Sequence, residues 1–305
     1  MPGSKFELTV LGSNSAIPTA NRHPSAHLLN VNERFYLIDC GEGTQIQLRK
    51  YGFKFQRIGH IFISHLHGDH FFGLIGLLTT MNLLGREKPL TIHAHKDLQE
   101  LITHQLKVSK SWIDFKIHYN YLPTDSQIIL DDGEITVQTV PLSHRIQCCG
   151  FVFREKPHYR KLLKQVIENY NIPVVLLKGI KQGDDYIAQS GKLITNEELT
   201  ESPPKSRSFA YITDTKYKEE IIPLIKEVDL LYHESTFTEE HKDRAKHTFH
   251  CTAKEAGTIA QMANVSKLLL GHYSVRYKTL DPLLLEAKSI FETSELSIEG
   301  QTYGV

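Results

Sequence analysis

The hexapeptide His65-Leu66-His67-Gly68-Asp69-His70 packs three imidazoles and a carboxylate into six residues. Imidazole nitrogen and carboxylate oxygen without thiolate suit zinc in a catalytic setting, at bond lengths of about 2.0–2.2 Å and with a position left open for water. Further donors follow at His144, Asp214 and His272. Together these residues suffice for two spheres: His65, His67 and His144 around one ion, Asp69, His70 and His272 around the other, and Asp214 bridging. We therefore expect about two Zn2+ per chain, roughly 3.5–4 Å apart. A water held between two zincs loses its proton near neutral pH and becomes a nucleophile, while both ions absorb charge in the transition state. Such machinery hydrolyses esters and amides, and phosphodiesters especially, because the metals clamp the non-bridging oxygens. The competing reading is histidines clustered by chance in a chain that has 17 of them.

These residues need a scaffold that delivers them to one place. His60 to Ser64 is a short apolar run of strand type, and the apolar stretch Phe71 to Leu84 predicts a helix, so the hexapeptide lies on a strand-loop-helix transition. Downstream, Ile135 to Val140 leads to His144, Phe209 to Thr213 to Asp214, Leu230 to Tyr232 to His233-Glu234, and Lys267 to Leu270 to His272. In layered α/β folds function gathers at one end of the strands, so these termini are expected on the rim that carries His65 to His70. Upstream, Phe6 to Leu11 is a first strand, and Ala26 to Val31 with Phe35 to Ile38 reads as a hairpin. It leads into Asp39-Cys40-Gly41-Glu42-Gly43-Thr44-Gln45, either a plain strand-helix turn or a loop that helps seat an anion. Helices are expected at Leu98 to Lys107, Thr252 to Ala263 and Leu283 to Phe291, and strands at Leu90 to Ala94, Ile113 to Tyr119 and Leu296 to Ile298. His93, His95, His104 and His118 have no ligand neighbours and read as structural.

Composition narrows the class. The 305 residues are 40% hydrophobic, enough for a large α/β core, and Lys plus Arg equals Asp plus Glu at 35 each. No global basic field marks a nucleic-acid partner, so any such partner is held by local patches. No apolar run reaches membrane-spanning length and no signal-peptide core follows Met1, which argues for a cytoplasmic protein without a membrane partner. Four cysteines without C-x-x-C spacing read as reduced, buried thiols. Between residues 154 and 208 the character changes, with a helix-like piece from His158 to Glu168 and a hairpin candidate at Gln182 to Asp185. We read this stretch as an inserted arm on a single domain spanning 1–305. From Arg154 to Lys192 it carries eight Lys/Arg, Lys178 and Lys181 among them, against four Asp/Glu. That is either a solvated helical lid or a nucleic-acid contact arm.

H-x-H-x-D-H followed by His, Asp and His resembles the metallo-β-lactamase superfamily, which implies a four-layer αββα sandwich with a dinuclear site at one edge. Further segments resemble the ribonuclease Z family in its short form: Leu11-Gly12-Ser13 with Pro18-Thr19, Asp39 to Gln45, Pro141-Leu142-Ser143-His144, Thr213-Asp214-Thr215, His233-Glu234-Ser235-Thr236, and Gly271-His272-Tyr273-Ser274-Val275-Arg276-Tyr277. The resemblance implies a zinc-dependent endoribonuclease that removes 3′ trailers from precursor tRNA and leaves a tRNA 3′-hydroxyl. It implies that Glu234 orients His250, which protonates the departing ribose oxygen, and that Asp69 both binds metal and orients the attacking water. Ser274 and Arg276 are candidates to steady phosphate or are structural. The arm, with Lys178 and Lys181, would be a tRNA-binding exosite, and a homodimer is expected. Where the family carries a Gly-Pro-rich arm tip, this chain reads Asn171-Ile172-Pro173-Val174-Val175-Leu176-Leu177-Lys178-Gly179, which keeps Pro173 and Gly179 but lacks the Gly-Pro pair. Two rivals stand beside this reading: a hydrolase of the same fold acting on small phosphodiesters or other esters, and an inactive binding scaffold.

Overall fold

The computed structural model describes residues 5–305, and its contacts divide the chain into two compact units, with Glu155–Ser206 as the smaller. The larger unit is built on two seven-stranded sheets. One contains β1 (Phe6–Gly12), β2 (Ala26–Val31), β3 (Arg34–Ile38), β4 (Ile58–Phe62), β5 (Leu90–Ala94) and β6 (Ile117–Tyr121) in sequence order. The other contains β7 (Ile128–Asp131), β8 (Ile135–Pro141), β9 (Cys149–Glu155), β10 (Ser208–Ile212), β11 (Leu230–Glu234), β12 (Lys267–Gly271) and β13 (Ser294–Leu296). A last strand, β14 (Thr302–Gly304), returns to the first sheet beside β1.

Alternation along each strand builds the layers. In β12, Leu269 points between the sheets to meet Phe151, Phe209 and Phe62, while Leu268 and Leu270 point outward to Ala256, Ile259 and Leu283 under the helices Ala253–Met262 and Asp281–Lys288. On the first sheet, Leu28 and Leu37 face the outer helices Leu74–Leu83 and Asp97–Val108, and Leu29 and Ile38 face the second sheet. Strands buried on both faces have no solvent side, which is why they read as continuous apolar runs. The result is the four-layer αββα sandwich that the resemblance implied. Within it β3 to β6 run parallel, as do β10 to β13, so several strand C-termini open on one rim.

Several boundaries differ from the sequence reading. The expected Phe71 to Leu84 helix is two, Gly68–Phe71 and Leu74–Leu83. The chain breaks at Gly73, whose N–H donates to Cys40 O at 2.9 Å and where a Cβ would stand 2.1 Å from Gly41 O. Gly41 in turn lies so close to Asp69 O that a Cβ would come within 2.4 Å. Gly41 of the Asp39 to Gln45 turn thus serves backbone packing against the hexapeptide loop, whereas Gly43 supplies a positive φ of 84°. The strand expected from Ile113 runs from Ile117 to Tyr121. No helix among the described residues is long and apolar enough to cross a membrane.

The smaller unit has its own core of Ile172, Ile180, Tyr186, Ile194 and Leu199. Its His158 to Glu168 stretch is a short strand, Lys161–Leu162, then the helix Lys164–Asn169. Gly183, at φ 119°, ends the helix Leu177–Gln182, so the hairpin forms later, between Tyr186–Ile187 and Leu193–Ile194. Its basic excess shrinks when all of Glu155–Ser206 is counted, because Glu197, Glu198 and Glu201 follow Lys192. Lys161 pairs with Glu201 at 2.8 Å. Val174 and Val175 are 81% and 85% exposed, an apolar pair at the surface of this unit.

Candidate metal centre

Each strand end hands over a side chain. Beyond β4 come Ser64, His65 and the hexapeptide loop, beyond β8 His144, beyond β10 Asp214, and beyond β12 His272. The structure brings the seven expected ligands into two adjoining groups, His65, His67, His144 with Asp214, and Asp69, His70, His272 with Asp214. Asp214 is common to both: its Oδ2 lies 3.0 Å from His65 Nε2 and 3.1 Å from His70 Nε2, and its Oδ1 lies 2.9 Å from His272 Nε2. His67 Nδ1 is 3.0 Å from His65 Nε2 and 3.1 Å from His144 Nε2. A tetrahedral zinc with bonds of about 2.05 Å has its ligand atoms about 3.3 Å apart, the range these donors occupy.

The outer nitrogens of four of these rings are already engaged, which leaves the inner ones to coordinate. His70 Nδ1 donates to Asp39 Oδ2 at 2.7 Å, and His144 Nδ1 donates to the Phe249 carbonyl at 3.1 Å. His272 Nδ1 lies 3.0 Å from Thr236 Oγ1, whose own proton goes to Glu234 Oε2 at 2.6 Å. His65 Nδ1 lies 3.1 Å from Ser64 Oγ, which donates to Asp39 Oδ2 at 2.9 Å. His70 Nε2 and His272 Nε2 are then buried without a hydrogen-bond partner. Orphaned imidazole nitrogens aimed at one carboxylate are the arrangement a divalent cation completes, so these residues fit the metal pair.

Electrostatics agree. Burial opposes charge on His70 and His272, yet Asp69 and Asp214 pull His70 well above its ordinary value and Asp214 pulls His272 up to about 10. Burial pushes His65 down to about 4 and lowers His67 and His144, which are neutral and ready to ligate. Asp214 is buried, but His272, His70 and His65 hold its carboxyl well below the usual range. The centre attracts positive charge, and a metal would take the place of protons.

Glu234 and His250 stand apart from this set. His250 Nδ1 lies 3.0 Å from Glu234 Oε1, which also accepts from Thr215 N at 2.7 Å. Oε2 accepts from Thr236 and from Cys251 N. Four donors occupy both oxygens, so Glu234 has none left for a cation. Burial alone would lower His250, but Glu234 outweighs it and raises the imidazole above its ordinary value.

Four non-glycine residues of the centre lie in the left-handed region: Asp39 at φ 56°, Asp214 at 33°, Phe249 at 63° and His272 at 58°. Each such residue costs about 1–3 kcal/mol and persists only where its surroundings enforce it. At Phe249 the unusual turn presents the carbonyl to His144.

Five of the seven expected ligands, His67, Asp69, His144, Asp214 and His272, line a cleft of about 410 Å³ together with His250, Ser274 and Arg276, and with Arg145 and Arg244, which the sequence reading did not single out. Arg276 also sits over the Phe237 ring at 5.4 Å. Lys178 and Lys181 are not among its lining residues; within the smaller unit they border a separate hollow with Tyr159, Leu162 and Leu177. Sequence reasoning gave Ser64 and Phe249 no role at the site, and it carried Asp39 and Thr236 only within longer segments, without the hydrogen bonds they make behind the histidines. The one available signal was their position beside ligands in the chain or at a strand end.

Fold and site together define a metallo-β-lactamase-fold protein. A β-lactamase superfamily domain model matches residues 201–273, and the model for anti-Pycsar protein Apyc1 matches residues 6–161. Ribonuclease Z of Phocaeicola vulgatus is 46% identical over 97% of this chain and 98% of its own length, and ribonuclease Z of Cytophaga hutchinsonii is 47% identical over 98% and 96%. The crystal structure of human tRNase Z, short form, superposes with a TM-score of 0.72 at 27% identity, covering 98% of this chain and 99% of that one. The chain belongs to the ribonuclease Z family.

Proposed function

We propose that this protein is a zinc-dependent endoribonuclease that removes 3′ trailers from precursor tRNA and leaves a 3′-hydroxyl on the tRNA. The observation that carries the reading is the Glu234–His250 pair beside a complete set of seven donors. When bound, two zinc ions would make water acidic and neutralise charge that builds on the phosphate. His65, His67 and His144 would hold one, Asp69, His70 and His272 the other, and Asp214 both. Asp69, about 9% exposed at its side chain, also borders the cleft and would orient the attacking water. Glu234 raises the proton affinity of His250, and His250 gives its proton to the ribose O3′, a poor leaving group as an alkoxide. Arg276 and Ser274 border the same cleft and steady the phosphate. An inert scaffold has no use for an acid pair beside the donors, which argues against a purely binding role.

The smaller unit is the proposed tRNA-holding exosite, with Lys178 and Lys181 as contacts to the tRNA body. Its exposed Val174 and Val175 imply an apolar grip at the tip in place of a Gly-Pro one. Four buried free thiols suit the reducing cytoplasm, and a homodimer is the proposed assembly, to be read by sedimentation equilibrium. The deciding experiment incubates zinc-loaded protein with a precursor tRNA and with a small aryl phosphodiester, then maps the RNA ends. Cleavage after the discriminator base supports the reading. Turnover of the small ester with intact tRNA would give the protein to the rival phosphodiesterase reading.

A further inference from the structure

A second cleft, of about 620 Å³, lies beside the metal cleft, and His250 lines both. The helix Lys242–Thr248 contributes to each: Arg244 and Thr248 border the metal cleft, Lys242 and Lys246 the second one. The charges in this second cleft are of two kinds. Lys242 is consumed internally, 2.7 Å from Glu239 and 3.8 Å from Glu255. Lys216, Lys246 and Lys254 have no ion-pair partner among the described residues, and Lys246 and Lys254 are exposed. Lys216 Nζ stands 3.8 Å above the Phe249 ring, an aromatic face joined to a cation next to His250. Glu239 and Glu255 share this lining, and Lys254 acts on Glu239 through space, yet three lysines outside any ion pair beside an aromatic ring are the elements that track a single-stranded phosphate backbone.

The chemistry of the cut then assigns a direction, and this step rests on the function proposed above. If a 3′-hydroxyl remains on the tRNA, the bond broken is P–O3′, the phosphate leaves with the trailer, and His250 delivers its proton to O3′. The acid therefore touches the nucleotide on the 5′ side of the break. A groove that opens at the acid continues along that nucleotide's strand.

We infer that Lys216, Lys246 and Lys254 form a subsite for the tRNA-side strand, binding phosphates 5′ of the scissile bond, and that the trailer leaves along the rest of the metal cleft.

The test compares zinc-loaded wild type with Lys246→Ala/Lys254→Ala, using two probes in direct binding: an acceptor minihelix ending in a 3′-hydroxyl and a trailer oligonucleotide with a 5′-phosphate. The double variant should bind the minihelix severalfold more weakly and flatten its log–log salt dependence by about 1.4, at roughly 0.7 for each single-strand phosphate contact. Trailer binding should not change, and Lys246→Arg/Lys254→Arg should restore the minihelix. Weakening of the trailer alone, equal weakening of both probes, or no change in either overturns the assignment. Circular dichroism of the variants excludes misfolding as the cause of a loss. Failure of wild type to cut precursor tRNA would refute the underlying function, whereas normal cutting with an unchanged minihelix affinity would refute the subsite alone.

Discussion

Replacing Asp39 by Asn tests whether the centre is tuned from behind. Asp39 Oδ2 accepts three hydrogen bonds, from His70 Nδ1 at 2.7 Å, Tyr211 Oη at 2.8 Å and Ser64 Oγ at 2.9 Å, while Oδ1 accepts one from Ser64 N at 2.8 Å. An amide must place its NH2 at one of these two corners. At the Oδ1 corner it would face a backbone N–H that cannot turn away, leaving a buried donor unmet at about 1–3 kcal/mol. At the Oδ2 corner every partner can adapt, since the two hydroxyls rotate and His70 can move its proton to Nε2. The second arrangement wins, and it spoils His70 as a ligand because the proton now sits on the coordinating nitrogen. Loss of such an outer partner weakens metal binding by about 10–100-fold. Competition with a chromogenic chelator should therefore show the Asp69–His70–His272 position weakened by that factor and the His65–His67–His144 position much less. Wild-type affinity at both positions in a folded Asp39→Asn protein would falsify the tautomer argument.

Four further outcomes are expected. Asp214→Ala should lose both metals by elemental analysis, because its carboxylate reaches His65, His70 and His272; retention of about two ions per chain would refute the bridge. His250→Ala should keep its metal and lose about 10²–10⁴-fold in cleavage rate, and loss of zinc would instead make His250 a ligand. An acid raised by Glu234 is active below its pKa, so the rate should fall as pH rises through it, and Glu234→Gln should move that falling limb to lower pH; an unmoved limb would mean another group titrates. Trimming Lys156 to Lys192 to a short loop should weaken precursor-tRNA binding and cleavage by at least about tenfold, with a shallower salt slope, and spare a small phosphodiester; equal losses on both would make the segment structural.

The ligands were legible in the sequence because strand ends carried them. A buried strand is an apolar run, and the ionisable residue within a few positions of its end announces itself, as at His144, Asp214 and His272. The six-residue cluster needed no fold at all to be noticed. Their outer partners were hidden because they work through orientation. A carbonyl such as that of Phe249 leaves no trace in residue type, and Thr236 looks like any other threonine near a strand end. Arg145 and Lys216 lie far along the chain from Arg244, Lys246 and Lys254, and they come together around His250 only in the folded molecule. The arm shows the opposite failure: its charge excess depended on stopping at Lys192, just before Glu197, Glu198 and Glu201. The helix break at Gly73 was likewise set by a neighbouring backbone rather than by local preference.

The smaller unit leaves and re-enters the larger one between β9 and β10, which are antiparallel neighbours with Arg154 opposite Ser208 in the register. Its two ends are therefore anchored as closely as the two sides of a hairpin. A chain excursion with joined ends can be lengthened at small entropic expense, since each doubling of a loop costs only about 0.6 kcal/mol. The junction thus works as a socket. Cutting at Arg154 and Ser208 and closing with a tight turn would turn β9 and β10 into an ordinary hairpin, and another family member's arm could be spliced between the same two residues without disturbing the sheet. If the smaller unit is the proposed exosite, chimeras of that kind would exchange how RNA is held while keeping the chemistry of the larger unit.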